Sequence, residues 1–270
     1  MTCYICQHKQ IEKIFLFGIK IPNSKIKYNL YRCEKCGFVR PNLIPKIDYI
    51  NNTSENININ YKTPISKFYQ KNFVPYIKYI NKHHIKGKHL DIGCGQGELI
   101  YLLKSSGINS EGLEINNKLV TALRKKGDIV YNKLLGDKLY ENKKYDIITA
   151  NHVLEHISNL NSFINNISMM VNKGGYLIIA FPYIYGLLPK ILQKKWYGLG
   201  PGGHINFFSI RSIKLLLEKY KFEIERVNII SLNHTNYDTP KITKFIINTL
   251  TSLLSLLKLG DNLFVVARKK

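Results

Sequence analysis

The sequence predicts an α/β protein: a parallel sheet with helices on both faces, preceded by a small cysteine-held module. Three observations lead there. Strand-like apolar runs alternate with helical stretches from residue 65 onwards. One of these crossovers, Lys88–Gly97 (Lys-His-Leu-Asp-Ile-Gly-Cys-Gly-Gln-Gly), passes through glycines at 93, 95 and 97 into a helix over 98–106. Two Cys-x-x-Cys pairs, Cys3/Cys6 and Cys33/Cys36, lie within the first 45 residues. A chain of 270 residues with 45% hydrophobic content suits one full α/β domain with an appendage.

Each cysteine pair can place two thiolates on one metal. Two pairs fill a tetrahedral Zn²⁺ shell with no open position, so the expected role is structural. The 26 residues between Cys6 and Cys33 leave room for a β-hairpin. Disulfides are the alternative, but the chain reads as cytoplasmic. Met1-Thr2-Cys3-Tyr4 lacks a basic region followed by an apolar stretch, and no apolar run is long enough to span a membrane. Residues 1–45 are therefore assigned to a four-cysteine zinc ribbon, the Asn-rich residues 46–64 to a linker, and residues 65–270 to the main domain. Residues 65–86 carry Phe68, Phe73, Ile77 and Ile80 at helical spacing, interrupted by Pro75, with His83 and His84 at an exposed end.

The stretch 88–97 then makes a strand, a glycine turn and a helix start. Glycines allow a tight turn and leave no Cβ between backbone and ligand, and a helix N-terminus presents free N–H groups. Such a turn is a nucleotide site at the carboxyl edge of a parallel sheet. The spacing is neither G-x-G-x-x-G nor a phosphate loop. Residues 109–115 read as a second strand ending in Glu114, 21 residues after Gly93. An acid at that distance can accept hydrogen bonds from both ribose hydroxyls. Cys94 is read as a small packing residue.

Asp91-Ile92-Gly93-Cys94-Gly95-Gln96-Gly97 resembles motif I (D-x-G-x-G-x-G) of the class I S-adenosylmethionine-dependent methyltransferases. The resemblance implies a Rossmann-like sheet of seven strands. It also implies that the glycine loop wraps the amino-acid tail of S-adenosylmethionine, with Asp91 helping to hold its ammonium. After a helix over 117–126, stopped by Gly127, and a short strand over 129–131, the family contacts adenine through a polar side chain. Asn132 and Asp137 both fit.

Residues 145–150 form the fourth strand and run into Asn151-His152-Val153-Leu154-Glu155-His156-Ile157. This is similar to the stretch after strand four in small-molecule methyltransferases related to the ubiquinone and nucleotide-sugar enzymes. The resemblance places Asn151 and His152 beside the cofactor and Glu155 and His156 towards the acceptor. Histidine is the usual base for a hydroxyl near neutral pH. The order H-V-L-E-H excludes a zincin.

A helix over 159–170, a strand over 176–181 and an insertion over 183–206 follow. Residues 196–209, containing Trp196, Gly198, Leu199, His204 and Ser209, resemble the family's W-x-G-L-x-x-P-R-H-L-x-x-F-S, with Gly203 where an arginine is usual. The insertion is expected to fold over the acceptor as a lid carrying His204. A helix over 209–220 is capped by Ser209, and a strand spans 222–230. A second insertion, 235–260, holds a helix over 241–259 whose stripe Ile246, Leu250, Leu253, Leu254 and Leu257 is expected to pack on core or lid. A last strand, 263–267, inserts antiparallel in the family.

The net charge of +22 would attract nucleic acid or an anionic surface. The lysines are spread evenly, which favours a compositional origin, although a diffuse positive field also favours an anionic acceptor such as a nucleotide sugar. The expected activity is methylation of a small molecule, a sugar or a polysaccharide or lipid precursor, at oxygen or carbon. One alternative is a zinc-containing ribosomal or transfer RNA methyltransferase, against which stands the absence of an Asn/Asp-Pro-Pro-Tyr/Phe signature after strand four. The other is a catalytically silent S-adenosylmethionine-binding protein.

Overall fold

A computed structural model describes residues 2–20, 27–42, 59–63, 70–135, 143–199, 203–231 and 241–270. Three N-terminal strands, β1 (Ile11–Lys20), β2 (Lys27–Cys33) and β3 (Val39–Pro41), form an antiparallel sheet in that order. The spacer between the cysteine pairs thus holds the hairpin its length allows.

The main sheet contains β4 (Lys88–Ile92), β5 (Asn109–Leu113), β6 (Val130–Tyr131), β7 (Tyr145–Asn151), β8 (Val171–Pro182), β9 (Phe222–Ile230) and β10 (Asn262–Lys269). Their order is β6-β5-β4-β7-β8-β10-β9. The first five run parallel, and β10 enters antiparallel between β8 and β9. The helices are α1 (Val74–Lys82), α2 (Glu98–Ser105), α3 (Asn117–Lys125), α4 (Leu160–Met170), α5 (Leu187–Leu192), α6 (Ile210–Lys219) and α7 (Lys241–Leu256).

Central strands covered on both faces must be apolar on both sides, and the period of two assigns each residue to a face. Leu90, Ile92, Ile148, Ala150, Leu177, Ile179, Leu263 and Val265 pack with α4 and α6 on one face. Ile147, Ile178, Phe264 and Val266 pack with α1 and α2 on the other. The cysteine module joins the first face: Phe38 lies 5.3 Å from Phe208, which lies 4.9 Å from Phe181 on β8.

Three local expectations change. Pro75 sits in the first turn of α1, where a missing N–H costs nothing, so it starts this helix; Phe68 lies outside the described residues. Ile59 and Tyr61, assigned by composition to the linker, pack against the glycine loop, with the Tyr61 hydroxyl donating to the Gln96 carbonyl at 3.1 Å. Finally, α7 is turned the other way. Among its described side chains the buried one is Thr251, and Ser255 Oγ accepts from the Ser231 N–H at 2.8 Å, while Ile246, Leu250, Leu253 and Leu257 are exposed and Leu254 is half-buried. One bond from the polar side of α7 thus satisfies the backbone N–H just past β9. By contrast Ser209 caps α6 as expected, in a reciprocal capping box with Ser212.

Candidate active site

The glycine turn leaves β4 with Gly93, Gly95 and Gly97 at φ values of +69°, +54° and +78°. A Cβ on Gly93 would sit 2.7 Å from Val153 Cγ2, and one on Gly97 2.6 Å from Leu123 Cδ2; one on Gly95 would meet nothing within 4 Å. The outer glycines therefore permit close packing, and the middle one borders open space. The Gly95 N–H donates to Glu114 Oε2 at 3.0 Å and the Asn116 N–H to Oε1 at 2.9 Å. Glu114 thereby fixes the loop to the start of α3 while each oxygen keeps acceptor capacity. Glu114, Gly93 and Ile115 line a cavity of about 520 Å³, a size suited to a nucleoside-containing ligand. His152, Val153 and His156 also line it.

Asn132 does not line this cavity. Its amide donates to the Glu114 and Ile115 carbonyls at 3.1 and 2.9 Å, holding the loop from behind, and Lys133, Leu134 and Leu135 form the wall there. Asp137 lies outside the described residues.

Asp91 is buried beneath the turn and belongs to a polar row that crosses three strands on one face. The Thr149 hydroxyl donates to Asp91 Oδ1 at 2.6 Å, so it must accept from His89 Nε2 at 2.8 Å, which leaves His89 Nδ1 to accept from Ser110 at 2.6 Å. Burial drives the His89 imidazole down to about 3, so it is neutral. Burial pushes the Asp91 carboxyl up to about 7, against the Thr149 hydrogen bond. Sequence reasoning misses this row; its one signal is a lone histidine inside an apolar strand.

After β7 the chain turns sharply. Asn151 Oδ1 accepts from the Tyr76 hydroxyl at 3.0 Å, and His152 adopts φ +53°, unusual for a side-chain-bearing residue. This brings His152 Nδ1–H onto Glu155 Oε1 at 3.0 Å. The carboxylate therefore pairs with His152, three residues earlier, and not with the adjoining His156. Burial pushes the Glu155 carboxyl up, but the His152 hydrogen bond and the surrounding imidazoles bring it below its ordinary range. Glu155 Oε2 is buried with no partner among the described residues.

His156 and His204 meet edge to face at 4.7 Å, and donor atoms of Glu155, His156 and His204 lie within 4.8 Å of one another. Burial outweighs the nearby carboxylate and lowers the His156 pKa. Glu155 itself acts the other way and favours the protonated form, but its effect is the smaller one.

The residues around 204 are built into this site. The Ile205 and Asn206 N–H groups donate to the Glu155 carbonyl at 2.7 and 3.1 Å, and the Asn206 amide donates to the Leu154 and Ile157 carbonyls. His204 Nδ1–H donates to the Gly198 carbonyl at 2.7 Å. Gly198 is required because a Cβ there would lie 2.3 Å from the Trp196 ring, which is buried and donates to Asp261.

The cysteine module abuts the same region. Val39 and Phe207 exchange backbone hydrogen bonds of 2.9 Å. Sγ of Cys3 lies 3.5 Å from Cys36, and that of Cys6 3.6 Å from Cys33; all four sulfurs lie within 4.8 Å of one another. These separations are far longer than a disulfide bond and close to the edge of roughly 3.8 Å that a tetrahedron with ~2.3 Å Zn–S bonds requires.

Comparisons with known proteins agree with this geometry. The chain is 27% identical over 149 residues to a ubiquinone biosynthesis O-methyltransferase of Rickettsia canadensis, covering 51% of this chain and 63% of that protein. It spans less than two thirds of the length of the curated relatives it matches first. The fold resembles a SAM-dependent methyltransferase from Archaeoglobus fulgidus, with a TM-score of 0.56 and 21% identity over 75% of this chain and 94% of that one. It also resembles magnesium protoporphyrin IX methyltransferase from Synechocystis, solved with bound SAH, with a TM-score of 0.55 and 18% identity over 81% and 90% of the two chains. Residues 65–227 match the family described as a methyltransferase domain, and with the seven-stranded sheet and glycine loop in place, the chain belongs to the class I S-adenosylmethionine-dependent methyltransferases.

Proposed function

We propose that this chain methylates a small molecule at oxygen or carbon, a sugar or a polysaccharide or lipid precursor, with His156 as the base. The observation that carries this reading is that His152 and His156 line the same cavity as Gly93 and Glu114, with Glu155 bonded to His152 and His204 against His156 behind them. Glu114 would hold the ribose, the turn around Gly95 the amino-acid tail, and Asp91 the ammonium. Bound S-adenosylmethionine supplies an electrophilic methyl group on a sulfonium. The protein's part is to orient the acceptor and take its proton. A His156 imidazole kept neutral by burial is ready to accept that proton at neutral pH. Glu155, tied to His152, supplies the compensating negative charge, and His204, anchored by Gly198, positions the acceptor.

The ubiquinone O-methyltransferase relatives support a small acceptor. Incubating the protein with S-adenosylmethionine and separate panels of nucleotide sugars, phenolic quinone precursors and structured RNA tests the reading. Mass spectrometry should show one added methyl on a small molecule; selective methylation of a single RNA nucleotide at physiological salt would overturn it.

Asp91 gives a pH-dependent test. Its folded-state pKa lies above the ordinary carboxylate value, so the folded protein holds a proton that the unfolded chain releases between about pH 4 and 7. Asp91 therefore costs stability increasingly as pH rises through that window. Asp91→Asn should melt higher than wild type at pH 8, match it near pH 4, and bind S-adenosylmethionine at least about tenfold more weakly. Unchanged cofactor affinity in this variant would remove Asp91 from the site.

The four cysteines fit a structural Zn²⁺, and we assign residues 1–45 to a zinc ribbon bracing the region of His204. Cys33→Ser should lose one zinc per chain and destabilise the module while cofactor still binds the main domain. Elemental analysis finding no zinc in protein purified without chelators would reject the metal.

A further inference from the structure

Between the cysteine module and Ser158, in the loop before α4, lies a second cavity, of about 290 Å³, that the methyl-transfer chemistry does not use. Its lining includes Arg40, Thr2, Tyr31, Asn42 and Ser158, with no aspartate or glutamate. Arg40 comes from β3, the strand bonded to Phe207. Its guanidinium lies over the Tyr4 ring at 4.4 Å and donates through Nη2 to the Ser158 carbonyl. Nε is buried and has no hydrogen-bond partner, and no carboxylate pairs with Arg40 among the described residues. A partly buried cation with no carboxylate on it is a costly arrangement unless another anion compensates it, and a guanidinium keeps its charge in such a place. Its fork matches phosphate or carboxylate oxygens bidentately, as a lysine would not.

The position matters as much as the charge. Ser158 lines both this cavity and the larger one, and it follows His156 by two residues. An elongated acceptor whose reacting hydroxyl or carbon sits at His156 therefore has a cationic pocket next door.

We propose that Arg40 anchors an anionic group of the acceptor, a phosphate or diphosphate, in the cavity between the module and the Ser158 loop. This deepens the small-molecule reading of the same site and rests on it. The module then does two things, because β3 presents a specificity residue to the acceptor as well as bracing the lid. The competing role is internal. Cys3 and Cys33 form another wall of the cavity, and Arg40 could serve to balance a negatively charged metal–thiolate centre.

Calorimetric titration of inorganic pyrophosphate into the full chain, zinc-replete and saturated with S-adenosylhomocysteine, separates these roles without needing an acceptor. Wild type should bind pyrophosphate saturably. Arg40→Gln should weaken that binding about 10- to 100-fold, the range for losing a charge-assisted hydrogen-bond pair, and Arg40→Lys should retain part of it. Zinc content, melting temperature and S-adenosylhomocysteine affinity should stay near wild type in both variants. The proposal is overturned if wild type shows no saturable pyrophosphate binding or if Arg40→Gln binds it as wild type does. It is equally overturned if both variants lose zinc, which would assign Arg40 to the metal centre. Because no methylation is measured, failure here is separate from failure of the acceptor panel.

Discussion

Gly95→Arg should abolish S-adenosylmethionine binding in a protein that still folds, an expected loss of at least about 100-fold in affinity. Two effects combine. Gly95 has φ +54°, a conformation that costs a residue with a side chain roughly 1 kcal/mol. Its Cβ direction opens into empty space, so the chain tolerates an added side chain, and in the proposed binding mode that space takes the ligand tail. The same change at Gly97 would strike Leu123 and at Gly93 would strike Val153, so those variants would test packing instead. Circular dichroism and melting near wild type, with no calorimetric binding, is the expected result. A Gly95→Arg protein that binds cofactor normally would mean that the loop does not border the site.

His156→Ala should lower turnover by roughly 10²–10⁴-fold with cofactor affinity nearly unchanged, the range for losing a general base. The sign of the pH dependence follows from the geometry. Burial lowers the His156 pKa, so the neutral base predominates through the ordinary histidine range, and activity should fall only as pH drops below it. His204→Ala should mainly raise the KM for acceptor, since its imidazole is anchored to Gly198 as a fixed wall. Near-wild-type turnover for His156→Ala across pH 6–9, or loss of the acidic limb in His204→Ala alone, would reassign the base.

The parts of the fold that are legible in the sequence are those where local chemistry decides the structure. Glycines at 93, 95 and 97 between an apolar strand and a helix permit one kind of turn. Glu114 follows its strand at a distance that the sheet converts into a contact with that turn. Ser209 announces a helix start because its side chain satisfies the first-turn N–H groups. Four cysteines at two knuckle spacings converge because the β1–β2 hairpin returns the second pair beside the first.

What is not legible depends on which residues become neighbours. Glu155 reaches back to His152 because the backbone at 152 takes a left-handed turn, which no spacing rule anticipates. Ser110, His89, Thr149 and Asp91 come from three strands and form one row only in the observed register. The apolar stripe of α7 reads as core by periodicity. In the structure the Ser231 N–H bonds Ser255 on the opposite side, and most of the stripe is exposed. Arg40 looks like an ordinary surface cation until β3 closes a cavity against Ser158.

Every role assigned to the site depends on S-adenosylmethionine occupying the cavity beside the glycine loop. Calorimetry on the purified wild-type chain decides this, by titration with S-adenosylmethionine and with its demethylated product, and with Gly95→Arg as the blank. Wild type should show one saturable site per chain for both ligands, and the variant none. Absence of binding to wild type at millimolar concentration would place the cofactor elsewhere and undo the assignments of Glu114, Asp91 and His156 together.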